Sequence, residues 1–518
     1  MFPQNMLMPP GGADLKSILP ELVLMGLGCL LLAWEMVRPR DRVAPAWIAI
    51  VGHVGALAAL APSYQMVTEK GFLASAEDAL VFFHGNVVLD GFGIAMKAVV
   101  IVGSLLSLLV AVKYSERFRN PAEFFALVAF AASAASLLTV SADLVMIYLN
   151  VEFLGLTSYI LAGYLKFQPR STEAALKYFL YGAVTAAIML YGMSFLYGMT
   201  GSTNLYAVPG EDIRTPLGPA LLALREAPGG AAVILVSLAL ILVGLGFKTG
   251  LAPWHQWVPD VYDGSPLPVM AWLSVASKAG ASAVIFRVLL AGIPAEAWVG
   301  PVAGIAALTM TAGNLGALMQ TNIKRMLAYS SVAHAGYTMM ALAAAGAGVF
   351  QPAGAGTSGV SVWQLGGVPV YLSTYVFMNI GALAVVTAVY ARFKSHNLAD
   401  YAGLVRRSPG LAWLMVFFML SLAGIPPTAG FWGKFVLFAA VLQAGPQLVW
   451  LAIVAFINSV ISVYYYWQVV RAMFLLEPIS DEVVTPGPEL RFTIALATAG
   501  TLAIFILAGP FMTLFRIH

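Results

Sequence analysis

Apolar segments of about 20 residues recur along the whole chain, separated by short stretches that carry Pro, Gly and charged residues. A helix needs about 20 mostly apolar residues to cross the hydrocarbon core of a bilayer. The pattern therefore predicts an all-α polytopic membrane protein with about 14 transmembrane helices. The predicted spans are 17–37, 44–62, 91–113, 122–140, 143–165, 174–200, 230–250, 266–291, 298–318, 325–346, 365–392, 411–442, 448–474 and 491–514.

The composition supports this reading and excludes several classes of protein. Hydrophobic residues make up 60% of the 518 residues and charged residues only 10%, whereas soluble chains carry about 25% charged residues. The 27 basic and 24 acidic residues are too evenly balanced for a nucleic-acid partner. The single cysteine, Cys29, excludes an internal disulfide and thiolate-held clusters. We therefore expect no metal and no cofactor on this chain, and any redox chemistry on another one.

The basic residues are unevenly distributed between the predicted loops. Because Lys and Arg accumulate on the cytoplasmic side of membrane proteins, the basic odd-numbered loops predict that both termini lie on the non-cytoplasmic side. The basic residues of these loops are Arg38, Arg40, Arg42, Lys113, Arg117, Arg119, Lys166, Arg170, Lys324, Arg325, Arg392, Lys394, Arg406 and Arg407.

Four charged residues fall inside predicted spans, namely Glu152, Lys248, Lys278 and Lys434. An ionisable group at mid-bilayer costs at least about 2.5 to 3.5 kcal/mol, so each requires an explanation. A lysine near the end of a span can extend to the interface, and Glu152 can belong to a structural ion pair. The alternative is that these groups carry protons, because burial destabilises a charged lysine and a nearby carboxylate stabilises it.

Two of these lysines lie beside helix-breaking residues. Lys248 precedes Gly250 and Pro253, and Lys434 follows the segment 424–433, which contains two prolines and three glycines. Helix breaks at membrane depth are tolerated where they line a buried cavity, and paired broken helices are typical of inverted-repeat transporters. The sequence therefore predicts two inverted five-helix repeats, spans 4–8 and 9–13, with broken helices 7 and 12.

This organisation divides the chain into four regions. They are the N-terminal helices 1–3 (1–121), a first five-helix antiporter-like unit (122–291), a second inverted five-helix unit (298–475), and a C-terminal loop with helix 14 (476–518).

Weaker signals lie near the ends of other spans. Glu173 and Lys177, four residues apart, can form a proton-transfer pair or a simple helix-end salt bridge. His334, near the start of span 10, can relay protons or only donate a hydrogen bond to a neighbouring helix. Asp260 and Asp263 lie in a segment for which a turn or helix-capping role is the default interpretation.

Several motifs together resemble a known family. The segments STEAALKYFLYGA (171–183), GLGFKTGLAPWHQWVPDVYDGSPLPVMAWLSVASKAG (244–280), NIKRMLAYSSVAHAGY (322–337) and LSLAGIPPTAGFWGKF (420–435) resemble the antiporter-like membrane subunits of respiratory complex I. Among these, the sequence is most similar to subunit N, also called subunit 2. The resemblance covers roughly residues 90 to 475.

The resemblance implies a fold, a function and a set of functional residues. The family has 14 spans, two inverted five-span units and both termini outside. It implies proton-transfer roles for Glu152 in span 5, Lys248 in span 7, Lys278 in span 8, His334 in the central hydrophilic axis and Lys434 in span 12. The implied function is that of a membrane-arm subunit of a proton-pumping NADH (or other donor):quinone oxidoreductase.

The resemblance also implies where the rest of the machinery is found. FMN, iron–sulfur clusters and quinone are expected in partner subunits, and this subunit of the translocase carries no redox centre. The expected partners are other membrane-arm subunits, including antiporter-like ones, and the lipid bilayer. From the length and the Ala/Gly/Leu-rich composition we expect this bilayer to be a bacterial plasma membrane.

Three other functions are compatible with the pattern. The first is a cation/proton antiporter subunit, which would favour carboxylate-rich ion sites over lysines. The second is a structural membrane-arm module whose buried charges only specify helix packing. The third, a free-standing transporter of a small solute, lacks distinctive selectivity residues.

Overall fold

The computed structural model describes residues 11–67, 80–208, 215–349, 362–478 and 482–514, and these are almost entirely helical. The predicted all-α architecture is confirmed, with one small addition, an antiparallel hairpin of β1 (Leu80–Phe82) and β2 (Val87–Leu89). The helices of the first half are α1 (Gly12–Ser17), α2 (Leu19–Val37), α3 (Ala44–Ala58), α4 (Leu60–Val67), α5 (Gly91–Tyr114), α6 (Pro121–Leu138), α7 (Leu144–Ala162), α8 (Pro169–Thr200), α9 (Leu217–Arg225) and α10 (Gly230–Thr249).

The second half continues in the same manner. Its helices are α11 (Trp257–Gly264), α12 (Leu267–Trp272), α13 (Lys278–Arg287), α14 (Ala295–Leu318), α15 (Ile323–Val349), α16 (Val362–Phe393), α17 (Leu404–Arg407), α18 (Pro409–Ala423), α19 (Ala429–Gln443), α20 (Val449–Leu475), α21 (Pro488–Ile506) and α22 (Ala508–Leu514). Wider π-helical turns at Leu273–Ser277 and Val288–Gly292 flank α13, so that α12 to the second π turn form one rod.

Twelve helices in the described parts of the chain are long and apolar enough to cross a membrane. Each of them falls on one of the predicted spans. The two remaining predicted spans, 325–346 and 411–442, fall on α15 and on the pair of shorter apolar helices α18 and α19. The total of 14 spans stays a prediction.

Local sequence explains where several of these helices begin. Proline, which needs no backbone donor, occupies the first turn of α6, α8, α18 and α21. The carboxylates of Asp90 and Asp143 accept hydrogen bonds from the free backbone N–H groups at the starts of α5 and α7.

Two helices end at glycines with nearly the same left-handed conformation. α10 ends at Gly250, with φ 76° and ψ 38°, and α18 ends at Gly424, with φ 85° and ψ 37°. Residues with a side chain rarely adopt this conformation. Both positions coincide with the helix breaks that the sequence predicts.

Large apolar side chains cover the outer surface. On α20 they follow the helical repeat along one face, and Ile453, Phe456, Ile457, Val460 and Trp467 are all more than half exposed. Soluble monomers rarely expose continuous apolar surfaces of this kind. The stripe is the surface expected of a helix that faces lipid or a neighbouring membrane subunit.

Glycines allow α14 and α15 to pack in unusually close contact. A Cβ atom on Gly313 would lie 2.5 Å from the backbone nitrogen of Ala333, and one on Gly336 would lie 2.7 Å from the backbone nitrogen of Met310. Small residues at a helix crossing let two backbones approach. This contact fixes α15, which carries His334, in the interior.

Two buried ion pairs fasten the first helices to the rest of the protein. Lys97 on α5 lies 2.9 Å from the Glu21 carboxylate on α2. Arg287, at the end of α13, donates two hydrogen bonds to Asp90, at 2.7 and 3.0 Å, and a third to the hydroxyl of Tyr206. These side chains are at most 2% exposed, so each charge depends on its partner.

We expect the substitution Asp90→Asn to destabilise the protein by about 3 to 5 kcal/mol. It keeps the shape and the helix cap but leaves the buried Arg287 charge without compensation. Thermal unfolding of the detergent-solubilised protein measures the effect. In the matched control Glu296→Gln, which breaks a half-exposed pair with Arg225, the loss should stay below about 1 kcal/mol. Equal unfolding temperatures for the two variants would contradict the expectation.

Candidate functional site

Lys248 occupies an aromatic pocket at the first helix break. It lies in the last turn of α10 and is 2% exposed. Its Nζ atom lies 5.1 Å from the ring centroid of Tyr159 and 5.3 Å from that of Tyr178, distances typical of cation–π contacts. Within the described residues Nζ has no hydrogen-bond partner, so the faces of these two aromatic rings are the main groups that stabilise its charge.

Glu152 is half-buried on α7, near this pocket. Its carboxylate lies more than 4.0 Å from Lys248 Nζ, beyond ion-pair distance, but the two charges interact electrostatically at longer range. A Cβ atom on Gly155, almost one turn after Glu152 on α7, would lie 3.3 Å from Lys248 Nζ. The lysine therefore extends towards the helix that carries the glutamate without contacting the carboxylate.

Lys278 begins α13, directly after the π turn, and is 5% exposed. Its Nζ donates to the backbone oxygen of Ser331 at 2.8 Å and to the Ser331 hydroxyl at 2.7 Å. The Tyr262 ring lies 5.8 Å away. A Cβ atom on Gly250 would lie 3.5 Å from Nζ, so Lys278 approaches the same helix break that Lys248 precedes.

His334 on α15 lies between two tyrosine hydroxyls and is 4% exposed. Its Nδ1 atom is 2.5 Å from the Tyr371 hydroxyl, and its Nε2 atom is 3.4 Å from the Tyr466 hydroxyl. The ring of Tyr375 lies 4.6 Å from the imidazole ring. Each ring nitrogen thus has a polar partner inside an apolar surrounding.

Lys434 on α19 closes the second helix break and is 6% exposed. Its Nζ donates at 2.8 Å to the backbone oxygen of Ala423, the last residue of α18. The ring of Tyr337 lies 5.0 Å from Nζ. A cation at the C-terminal end of a helix is favourable because the carbonyls there carry partial negative charge.

Glu173 and Lys177 lie apart from these buried residues, in a surface cluster with Asp260 and Arg325. Lys177 forms ion pairs with Glu173 at 2.7 Å and with Asp260 at 2.9 Å, and Arg325 binds the other oxygen of Asp260 at 2.8 Å. Burial opposes the charge of Asp260, but hydrogen bonds from Lys177 and Arg325 outweigh it and hold the pKa of this carboxyl below its usual value. The cluster lines a cavity of about 200 Å³. The helix-end ion pair is thus present, and a proton-transfer role for it stays a prediction.

The turn interpretation of the segment around Asp260 and Asp263 is wrong. These residues lie within helix α11, between the break at Gly250 and the start of α12. Trp257, the first residue of α11, donates a hydrogen bond at 2.9 Å to the backbone oxygen of Phe247. This carbonyl also accepts a hydrogen bond from the Gly250 N–H, and the added contact with Trp257 holds α11 against the break.

Sequence reasoning missed the tyrosines that surround the buried charges. They are Tyr159, Tyr178, Tyr262, Tyr337, Tyr371, Tyr375 and Tyr466. A phenol within an apolar span usually needs a hydrogen-bond partner, so these residues did offer a signal. The buried Arg287, near the end of the predicted span 266–291, was missed as well, although it interrupts the apolar run SAVIFRVLL.

Comparison with known proteins shows extensive similarity. The transmembrane family model described as NADH:quinone oxidoreductase/Mrp antiporter matches residues 141–462. The NADH-quinone oxidoreductase subunit N 2 of Solibacter usitatus is 37% identical over 509 residues, which cover 97% of this chain and 96% of the relative. Subunit N of Trichlorobacter lovleyi is 38% identical over 468 residues, 89% of this chain and 88% of the relative.

Solved structures are also similar to this chain. A chain of respiratory complex I from Thermus thermophilus is 32% identical and superposes with a TM-score of 0.74, covering 95% of this chain and 98% of that one. A chain of the Mrp complex from Dietzia superposes with a TM-score of 0.78 over 97% of this chain and 96% of that one. At 21% identity, the second similarity establishes the fold alone.

We expect Gly182→Ala on α8 to destabilise the protein by about 1 to 3 kcal/mol, as overpacking does elsewhere. The added methyl group would collide with the Tyr159 hydroxyl and ring, and so would displace the ring from Lys248. Gly198→Ala on the same helix is the matched control, because nothing lies within 4 Å of its added methyl group. Thermal unfolding of both variants in detergent tests this, and an equal effect of the two substitutions would refute it.

Proposed function

The chain belongs to the NADH:quinone oxidoreductase/Mrp antiporter family of membrane proteins, and on that premise we propose that it acts as the counterpart of subunit N in a proton-pumping NADH:quinone oxidoreductase. Near-complete coverage of relatives that carry this name supports the assignment. Electron transfer in other subunits would drive proton translocation through this one.

One observation carries the mechanistic part of the proposal. Lys248, Lys278, His334 and Lys434 are all buried in the helical core, and no carboxylate binds any of the three ammonium groups within ion-pair distance in the described structure. A lysine held by aromatic rings, hydroxyls and carbonyls can gain and lose a proton without breaking an ion pair. Protons would enter near Glu152, pass Lys248, Lys278 and His334, and leave beyond Lys434.

We further propose two inverted five-helix units, residues 122–291 and 298–475. The matching conformations of Gly250 and Gly424 support this division, since each ends the helix before a break. Each glycine also lies against a lysine, Gly250 against Lys278 and Gly424 against Lys434. The remaining helices, in 1–121 and 476–518, would flank these units.

The surroundings of the subunit are part of the proposal. The apolar stripe on α20 would face lipid or another membrane-arm subunit. FMN, iron–sulfur clusters and quinone would reside in partner subunits. The basic odd-numbered loops favour both termini on the non-cytoplasmic side, and the length and Ala/Gly/Leu-rich composition favour a bacterial plasma membrane.

The family description also includes cation/proton antiporters, the alternative that the sequence left open. Hard cations such as Na⁺ require several oxygen ligands, mostly carboxylates and carbonyls. Glu152 is the one carboxylate among the five proposed transfer groups, and three others are lysines. This charge inventory favours protons as the only transported ion.

We expect Lys278→Met to lower proton pumping and quinone reduction together, by at least about tenfold, because loss of a positioned proton carrier typically costs 10² or more. The measurement compares both activities in membranes whose assembled complex is verified by native gel. Lys113→Met is the matched control, since this lysine is 58% exposed at the end of α5. Wild-type pumping by an assembled Lys278→Met complex would mean that the buried charges are structural.

A further inference from the structure

One side of α15 gathers the polar groups that lie between Lys278 and Lys434. Ser330, Ser331, His334 and Tyr337 are all buried, at positions that bring them onto adjoining parts of one helical face. Ser331 binds Lys278, and the ring of Tyr337 lies below Lys434. The helix therefore reaches both lysines, and His334 lies between these two contacts along the chain.

The two nitrogens of His334 face different tyrosines. A neutral imidazole has one N–H donor and one acceptor nitrogen, and a phenol hydroxyl both donates and accepts. With Tyr466 at Nε2 and Tyr371 at Nδ1, the ring can accept a proton on one side while it releases another on the opposite side.

Each tyrosine also contacts a residue that is next in sequence to a lysine or to a residue that binds a lysine. The Tyr466 hydroxyl lies 2.5 Å from the hydroxyl of Ser330, which is the residue before the Ser331 that holds Lys278. On the other side, the Tyr371 ring packs against Gly433, which precedes Lys434. A Cβ atom on Gly433 would lie 3.1 Å from the Tyr371 ring.

The charges of the site oppose a positively charged ring. Lys278 and Lys434 both interact electrostatically with His334, and like charges in a low-dielectric interior repel strongly. A route in which His334 never becomes an imidazolium avoids this repulsion. Hydroxyl partners on both nitrogens make such a route available.

We propose that Tyr466 and Tyr371 are proton-relay residues that serve the two nitrogens of His334. The inference rests on the proposed function and extends it to two residues beyond the lysines and His334. The Lys278 ammonium passes a proton to the Ser331 hydroxyl, and Ser331 passes its own proton through a bridging water to the Ser330 hydroxyl. Ser330 passes its own proton to the Tyr466 oxygen, while Tyr466 passes its own proton to Nε2. The Nδ1 proton moves to the Tyr371 oxygen, while Tyr371 passes its own proton through a bridging water to the Lys434 amine.

This sequence conserves every proton and leaves both hydroxyls intact. Lys278 becomes neutral, Lys434 becomes charged, and His334 ends as the opposite tautomer. The ring must return to its first tautomer, by a ring flip or by exchange of its proton, before the next proton passes, so protons pass one at a time.

The test removes one hydroxyl at a time from the assembled complex. Tyr466→Phe and Tyr371→Phe should each lower proton pumping by at least about fivefold, less than the full effect of a lost proton carrier because water can replace a hydroxyl. They should also increase the slowing of turnover in D₂O, which a purely structural effect would not change. Tyr164→Phe is the matched control, since this tyrosine lies outside the proposed relay and donates its hydroxyl at 2.6 Å to the backbone oxygen of Asn120.

The outcomes separate this inference from the proposed function. If the tyrosine variants pump at the wild-type rate while Lys278→Met abolishes pumping, the relay is wrong and the function stands. If Lys278→Met also pumps normally, both are wrong. The two tyrosines serve opposite nitrogens and are judged separately, so one variant that assembles suffices. A loss of pumping equal to that in Tyr164→Phe, without a larger D₂O effect, would also overturn the relay.

Discussion

A charged side chain or a free backbone carbonyl inside a bilayer must find its partner within the protein. The two helix breaks leave backbone carbonyls at helix ends, and at each break a side chain donates a hydrogen bond to one of them. Trp257 binds the Phe247 oxygen at the first break, and Lys434 binds the Ala423 oxygen at the second. In the second case, the group that satisfies the backbone is itself a titratable side chain. A single contact therefore satisfies a backbone carbonyl and stabilises a buried charge.

Buried lysines occur here in two different environments. Lys97 is held by the Glu21 carboxylate, and its charge is balanced. Lys248, Lys278 and Lys434 have aromatic rings, a hydroxyl or carbonyls around them. An ion pair stabilises the charged form of a lysine, whereas these weaker partners allow both forms. The same residue type at similar burial can thus anchor helices in one place and exchange protons in another.

The sequence predicted features that depend on composition and local pattern. Long apolar runs located the spans, and the glycines beside Lys248 and Lys434 located the breaks. Features that depend on distant contacts were missed or misread. Asp90 and Arg287 are 197 residues apart, and no local pattern joins them. The segment after Gly250 contains turn-forming residues, yet it forms α11 because the neighbouring helices pack on it. The proton-transfer roles of individual residues stay a prediction.

The π turn at Leu273–Ser277 fixes the permitted length of this part of the chain. A π turn contains an extra residue relative to an α-helix, and each residue rotates the following helix by about 100°. Both Lys278 and Arg287 follow the turn on one rod, and each meets a partner on a different neighbouring helix or loop. Removing or adding a single residue before them would turn both side chains away together. Insertions and deletions across 273–277 would therefore disconnect Lys278, the proposed proton carrier, and Arg287, the ion-pair anchor, in one event.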